Sequence, residues 1–284
     1  GGNYNVVVGD EAGTAITTGD HNVAVGYQAG DALTTGGRHT LMGYASGSAL
    51  IDPDRNVAFG YGSLQSDTKG TKSTAVGYSA LNTQNFTSAT DSFNTAVGYT
   101  AGESITTGTL NTLIGGLAGD ATTTGSFNTA VGYSSLGANT TASYNTAVGH
   151  MAAVSNTTGS GLVALGNRSL QENTTGGSNV AAGSNSLREN TTGDSNTAFG
   201  GETLRANTTG ANNTAVGYNA LNDNTTAGSL TALGSNALQA NTTGTNNTAV
   251  GSSLITNTTG VNNTAMGNNA LYYNTTGTDN NAFG

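Results

Sequence analysis

The stretch NTAVGYNALNDNTTAG, residues 213–228, is followed by LTALGSNALQANTTG, residues 230–244, which is nearly a copy of it. The glycine that closes the TAVG-like core recurs seventeen times along the chain of 284 residues. Successive copies are 17 residues apart, except for a spacing of 21 between Gly77 and Gly98 and one of 16 between Gly251 and Gly267. A repeat of this length is typical of a solenoid rather than of a closed globular domain.

The consensus repeat reads N-T-A-V-G-Y-x-A-L-x-x-N-T-T-G-x-x, and we number its positions 1 to 17 from the first Asn. Seventeen residues are too few for a strand and a helix but suffice for one coil of a β-helix, and stacked coils pair as parallel strands. The predicted fold class is therefore all-β, a parallel β-solenoid or β-roll of about seventeen 17-residue coils. With ~4.8 Å between paired strands, these coils would form a rod about 80 Å long.

The repeats run from end to end, which predicts a single β-solenoid domain over residues 1–284. The first residues, GGNYNVVVG, enter in the middle of a repeat, so we expect the chain to be an excerpt of a longer fibre. The 21-residue repeat carries four extra residues. Because an insertion in a solenoid has to leave the coil, residues 82–92 are predicted to form an outward loop.

Residues one repeat apart are expected to stack in columns. Position 4 is apolar in every repeat, for example Val97, Phe199 and Leu233, and we expect this column to be buried. Position 3 is nearly always Ala, and because neighbouring residues of a strand point to opposite faces, this strand is apolar on both faces. One face can fill the interior of the coil. The other needs cover, either from another side of the same coil or from a second chain.

The corners of the coil are also marked by columns. Asn at positions 1 and 12 is expected to bond to the amides above and below it, and Gly at positions 5 and 15 to provide positive φ. Position 9 is Gly where position 12 is Ile or Leu, as in Gly47 and Leu50, and Leu where position 12 is Asp or Asn, as in Leu204 and Asn207. This exchange predicts that the two positions fill one corner pocket.

The composition argues against several functions. The net charge is −9 and only seven Lys and Arg are scattered along the sequence, which speaks against nucleic acid because phosphate binding needs clustered basic residues. No apolar run approaches the ~18 residues of a membrane span, so we expect no membrane insertion. No column of acids accompanies His21, His39 or His150. We therefore expect no metal, no cofactor and no catalytic site, and interpret the protein as not being an enzyme.

One set of residues is a candidate ligand site. Position 6 is Tyr in five successive repeats, at Tyr27, Tyr44, Tyr61, Tyr78 and Tyr99. Their rings are expected either to stack as an aromatic ladder that shields the corner or to form a strip that binds carbohydrate, since exposed aromatic surface marks binding sites. Both interpretations stay open at this stage.

The phrases NTAVGYNALNDNTT, NTAVGYSSLGANTT and NTAMGNNALYYNTTG resemble repeat regions of phage tail fibres and large bacterial surface proteins. The NTAVG core is also similar to the repeats of trimeric autotransporter adhesin heads, which are parallel β-rolls, although the repeat of 17 is longer than theirs. The resemblance covers essentially the whole chain. It implies an extracellular segment, on a virion fibre or a bacterial cell surface, that forms a homotrimer or a filament.

Two functions follow as hypotheses. The first is a structural fibre segment, a tail-fibre or adhesin shaft or head, which provides length, rigidity and attachment to a surface such as a host glycan. The alternative is a module that binds a repetitive surface, either a glycan through the tyrosines or ice through the stacked Thr of the NTT segments.

Overall fold

The computed structural model describes residues 2–284, and these form short strands and turns without any helix. The chain divides into two compact units, residues 1–144 and 145–284. Unit 1 contains β1 (Val6–Val8), β2 (Val23–Val25), β3 (Thr40–Met42), β4 (Val57–Phe59), β5 (Gly70–Thr71), β6 (Thr74–Val76), β7 (Thr90–Asp91), β8 (Thr95–Val97), β9 (Thr112–Ile114) and β10 (Thr129–Val131). Unit 2 contains β11 (Thr146–Val148), β12 (Val163–Leu165), β13 (Val180–Ala182), β14 (Thr197–Phe199), β15 (Thr214–Val216), β16 (Thr231–Leu233), β17 (Thr248–Val250), β18 (Thr264–Met266) and β19 (Asn281–Phe283).

Each three-residue strand occupies positions 2 to 4 of a repeat and pairs in parallel with its copy in the next repeat. In unit 1 the paired order is β1, β2, β3, β4, β6, β8, β9 and β10. In unit 2 the strands β11 to β19 pair in chain order. Residues one repeat apart are direct partners, as Ala198 and Ala215 are. The predicted parallel β-solenoid is confirmed, with about 16 turns of about 17 residues.

Glycine at position 5 ends each strand for two physical reasons. Gly26 has φ +132, a conformation that L side chains rarely adopt, and a Cβ on it would lie 2.4 Å from the carbonyl oxygen of Gly43 on the next coil. The column of glycines at position 15 was expected to have positive φ, and this was wrong. A Cβ on Gly176 would instead lie 2.5 Å from the carbonyl oxygen of Gly193, so this column is glycine because the coils approach closely.

The interior is filled from position 3 and from the corner, not from position 4. The Ala at position 3 is fully buried, for example Ala198 and Ala215. The prediction that position 4 is buried was wrong: Phe59 is 51% and Phe199 46% exposed. A coil of 17 residues encloses room for the small Ala side chain on one face of the strand, and the opposite face points out of the coil.

The predicted corner pocket is confirmed. Leu50 is fully buried, and a Cβ added to Gly47 would lie 2.9 Å from its Cδ1. In unit 2, Leu204 and Asn207 are both fully buried at the same two positions. The space next to position 9 therefore holds either an aliphatic side chain from position 12 or Leu at position 9 itself.

Half of the described coils hold three residues other than Gly in the left-handed region, at positions 7, 9 and 17, and the other half hold two. The repeat pattern did not lead us to expect them. In one coil these are Glu202, Leu204 and Asn212, with φ of 57°, 51° and 60°. In the repeats of full length, position 9 holds Gly, Leu or Ala, which avoids the strain that branching at Cβ adds to this conformation. Thr100, at position 7, is the β-branched residue that adopts it, with φ of 50°. The strain is held by hydrogen bonds to the neighbouring coil, such as the one from Leu204 N–H to the carbonyl of Ala220, at 3.0 Å.

The insertion does not lie wholly outside the coil. Strand β7 pairs in parallel with β5, and Gln84, Phe86 and Ser92 are buried. Within the predicted loop 82–92, residues 87–89 form the one run of consecutive exposed residues. The extra residues thus build an additional paired side on two coils of unit 1.

Candidate functional site

The outward face of the three-residue strands is an uncharged surface in both units. We call it the outer strand face and define it as positions 2 and 4 of the paired strands. Position 2 holds Val or Thr, except for Asn281 in the last strand. Position 4 holds Val, Met, Phe, Ile, Leu or Ala. Each of them on β2 to β19 is partly or largely exposed. The face that was expected to need cover is therefore left without cover by the chain's own coils.

The five tyrosines of unit 1 form a continuous stack. Ring centroids are 5.2 Å apart for Tyr27 and Tyr44, 4.8 Å for Tyr44 and Tyr61, 5.2 Å for Tyr61 and Tyr78, and 5.3 Å for Tyr78 and Tyr99. The planes of neighbouring rings are within 27° of parallel. The aromatic-ladder interpretation is thereby confirmed, and we call these five residues the tyrosine ladder.

The stacking limits what the tyrosine ladder can bind. Each internal ring has a neighbouring ring over both faces, so the edges of the rings are what remains open to solvent. A sugar that packs flat against an aromatic ring needs a free ring face. At the first ring, the carboxylate of Glu11 raises the pKa of Tyr27 through its charge and a hydrogen bond. The carbohydrate strip stays a prediction, with the ring edges as its contact surface.

Three basic residues that are far apart in sequence form one column in unit 1. Arg38, Arg55 and Lys72 occupy position 17 on successive coils. Arg38 is 3.8 Å from the carboxylate of Asp54, and Lys72 forms an ion pair with Asp91. The interpretation of the basic residues as scattered was wrong for these three, and their spacing of 17 was the signal. The adjacent carboxylates leave little positive charge for an anionic ligand.

The three histidines lie in different environments. His21 stacks on Tyr4 with ring centroids 5.0 Å apart, and His150 lies 3.4 Å from the side-chain amide of Asn167. His39 replaces Asn in the position 1 column, where burial lowers its pKa. No group of three or more His, Asp or Glu that could hold a metal ion occurs among residues 2–284.

One carboxylate is fully buried. Asp67 occupies position 12 in unit 1 and accepts hydrogen bonds from the side-chain nitrogen of Gln84 at 2.7 Å and from the backbone N–H of Gly70 and Phe86 at 2.9 and 3.1 Å. Burial raises its pKa. These donors are amides of its own and the following coil, so the group is part of the folded interior and does not face a substrate.

The Asn columns bond in two different ways. At position 12 the side-chain nitrogen donates to the amide oxygen of the preceding coil, as Asn207 Nδ2 does to Asn190 Oδ1 at 2.7 Å. At position 1 the side-chain nitrogen donates mainly to backbone, as Asn196 Nδ2 does to the carbonyl of Gly210 at 2.8 Å, although Asn280 Nδ2 also donates to Asn263 Oδ1 at 2.9 Å. The NTT segments match the glycosylation acceptor pattern, but nitrogens such as that of Asn207 are fully buried in the fold.

The Thr columns are partly occupied by internal hydrogen bonds. The first Thr of each NTT segment donates to the carbonyl oxygen of the next coil, as Thr191 does to Thr208 and Thr208 does to Thr225, at 3.0 Å in both cases. The second Thr, such as Thr192, is exposed. At this corner, each coil therefore offers one exposed Thr side chain, the second of the NTT segment, to a repetitive surface such as ice.

No helix capable of spanning a membrane is found in the part of the chain that the structure describes. Comparison with protein-family models, with curated proteins and with solved structures gives no match.

Proposed function

We propose that the chain is a structural segment of an extracellular fibre, of the phage tail-fibre or bacterial adhesin kind, and that copies of it associate through the outer strand face. The observation that carries this proposal is the absence of charge and of cover on that face in both units. The proposal assigns the chain no catalytic role. The function of the segment is to lengthen the fibre and to repeat the same surface along it.

The side chains on the outer strand face support association. Phe59 and Phe199 are about half exposed, and burying such apolar surface stabilises a complex by roughly 25 cal/mol per Å². Contiguous exposed apolar patches of more than a few hundred Å² mark interaction sites in soluble proteins. Side chains of different sizes occur along position 4, from Ala182 to Phe199, and such an uneven surface favours a partner with interdigitating side chains over a flat crystalline surface.

The size of the face explains why many repeats are needed. A three-residue strand is about 10 Å long and ~4.8 Å from the next, so each coil offers roughly 50 Å² and eight or nine coils about 400 Å². A stable interface buries about 800 Å² on each partner. The outer strand face of one unit is thus about half of what association requires, which explains why a longer run of repeats favours it.

The mass of the protein in solution tests the proposal. Light scattering after size exclusion is expected to give an assembly of three chains of 28.0 kDa each. The double variant Phe59→Glu, Phe199→Glu is expected to dissociate it, since two buried unpaired charges per chain would be desolvated. The control is Thr124→Glu, Thr158→Glu, which adds the same charge at two exposed corner residues. A wild-type monomer at micromolar concentration, or dissociation by both double variants alike, would contradict the proposal.

A further inference from the structure

Between Tyr27 and Tyr133 the aromatic column of unit 1 lacks one ring. Position 6 is Tyr99 in one coil, Gly116 in the next and Tyr133 in the one after that. The space beside Gly116 is open. A Cβ built there would have a single atom within 4 Å outside its chain neighbours, Cδ2 of Tyr133 at 3.8 Å.

Tyr99 is the most exposed ring of the tyrosine ladder. Tyr44, Tyr61 and Tyr78 have a ring over both faces and are 45%, 50% and 48% exposed, whereas Tyr99 is 60% exposed. Tyr99 is stacked on Tyr78 on one side. On its other side the next coil carries Gly116 at this position, so no side chain of that coil covers the second face of the Tyr99 ring.

The space has the thickness of one aromatic ring. Neighbouring rings of the tyrosine ladder are 4.8 to 5.3 Å apart. Tyr99 and Tyr133 are two coils apart, which separates their ring centres by about 10 Å, or two strand spacings. A ring placed midway would lie about 5 Å from each of them, within the range of favourable aromatic stacking.

We propose that Tyr99, Gly116 and Tyr133 form a binding slot for one planar aromatic ring of the phenol type. The ligand ring replaces the missing member of the column and stacks between two tyrosine faces. A saturated ring of equal size has no π-face and is thicker, so the slot discriminates against it. This site is distinct from the outer strand face and goes beyond the proposed structural function.

Unit 2 contains a matched control. Gly201 also occupies position 6, and a Cβ on it would lie 3.7 Å from Cδ2 of Tyr218 and 3.8 Å from the carbonyl oxygen of Ser184. The residue before it in the column is thus Ser184, so a ring at Gly201 would stack on one face only. Neither Gly116 nor Gly201 has positive φ, and a Tyr at either position fits the backbone.

The test uses 4-methylphenol as the probe and 4-methylcyclohexanol as its saturated counterpart. Tyrosine ring signals of the wild-type assembly are followed by NMR during titration. We expect saturable shifts with 4-methylphenol, with a dissociation constant in the millimolar range. Gly116→Tyr, which fills the slot, is expected to weaken binding at least tenfold, and Gly201→Tyr to leave it unchanged.

A second variant separates the loss of binding from the loss of folding. Ser occupies position 6 at Ser184, Ser235 and Ser252, so Tyr99→Ser suits the column and removes one face of the slot. It is expected to weaken 4-methylphenol binding at least tenfold with an unchanged circular dichroism spectrum. The proposal is overturned if the wild type shows no saturable shift, if 4-methylcyclohexanol binds as well, or if binding survives in Gly116→Tyr or in folded Tyr99→Ser.

Discussion

The ring nitrogen Nε2 of His39 lies 2.8 Å from the carbonyl oxygen of Pro53. Asn22, one coil earlier, makes the equivalent contact from its Nδ2 to the carbonyl oxygen of Gly36, at 3.0 Å. On its other side, Nδ1 of His39 accepts the backbone N–H of Asn56 at 3.2 Å. The imidazole therefore reproduces both bonds of the Asn that occupies this column elsewhere. Only the neutral tautomer with its proton on Nε2 can make both bonds.

This arrangement predicts that the coil of His39 loses stability at low pH and that His39→Asn removes this loss. Burial lowers the pKa of His39, against the smaller opposing effect of its bond to Pro53 and the charge of Asp54. The folded state therefore favours the neutral ring. Its contribution to stability is complete above the unfolded pKa of about 6.5 and is lost as pH falls from there towards the lower folded pKa. The Asn variant does not titrate, so its advantage over the wild type is expected to grow below pH 6.5.

The slope of that advantage is expected to reach up to about 1.4 kcal/mol per pH unit. Urea unfolding between pH 5 and 7.5 measures it. His21→Asn is the control, since His21 is exposed. Equal pH dependence of the wild type and His39→Asn would show that the buried ring is not the cause.

For Asp67 we expect the free energy of unfolding to depend on pH in the opposite direction. Because burial raises its pKa, the folded state favours the protonated acid. The stabilisation is complete below the unfolded pKa of about 3.9 and is lost as pH rises through the higher folded pKa. We expect the unfolding free energy of Asp67→Asn, relative to the wild type, to increase from pH 3.5 to pH 7. Chemical unfolding across this range measures the difference. The control is Asp10→Asn, which removes an exposed negative charge, and a difference that stays constant with pH for Asp67→Asn would refute the prediction.

The repeat period was sufficient to predict the parallel strands and their register. A spacing of 17 brings Ala198 opposite Ala215, and no other pairing keeps the small residues in the interior. The exchange between Gly47 and Leu50 could be recognised because close packing forbids both an empty and a doubly filled corner. These features depend on which residues recur together, and recurrence is visible in the sequence.

The direction of the strand faces could not be predicted in the same way. Val97 and Ala96 are both apolar, so the pattern does not tell which of them points inward, and the larger side chain was wrongly placed in the interior. The left-handed residues were missed because Leu204 is an unusual residue for positive φ. The alternation of Gly and Leu at position 9 of the full-length repeats was the available signal. The column of Arg38, Arg55 and Lys72 was visible in the period but was not read from it.

The amide ladder of unit 2 is expected to be a main source of stability there. Asn207 donates to Asn190 at 2.7 Å and to the carbonyl of Gly210 at 3.0 Å, and accepts from Asn224 at 2.8 Å. Replacing it with Ala leaves buried donors and acceptors without partners. Asn207→Ala is expected to destabilise the fold by about 2–4 kcal/mol. Hydrogen exchange of the neighbouring coils measures the effect, with the exposed Asn167→Ala as control; similar protection in both variants would mean that the amide ladder contributes little.

The tyrosine ladder makes a prediction about carbohydrate. The internal rings of Tyr44 and Tyr61 are covered on both faces by their neighbours, so they offer no face on which a sugar can stack. The double variant Tyr44→Ala, Tyr61→Ala is expected to lose about 0.5–1.5 kcal/mol of stability for each stacked pair removed. Glycan-array binding of the same variant is expected to equal that of the wild type.

The matched control for this experiment is Tyr218→Ala in unit 2. Tyr218 occupies position 6 between Gly201 and Ser235 and has no aromatic residue next to it in its column, so it presents ring faces that the internal rings of Tyr44 and Tyr61 do not. If a glycan binds the wild type and is lost only in Tyr44→Ala, Tyr61→Ala, the edges of the stacked rings form the contact surface and the strip hypothesis holds. If it is lost only in Tyr218→Ala, a single open ring is the carbohydrate contact and the ladder acts as a shield for the corner.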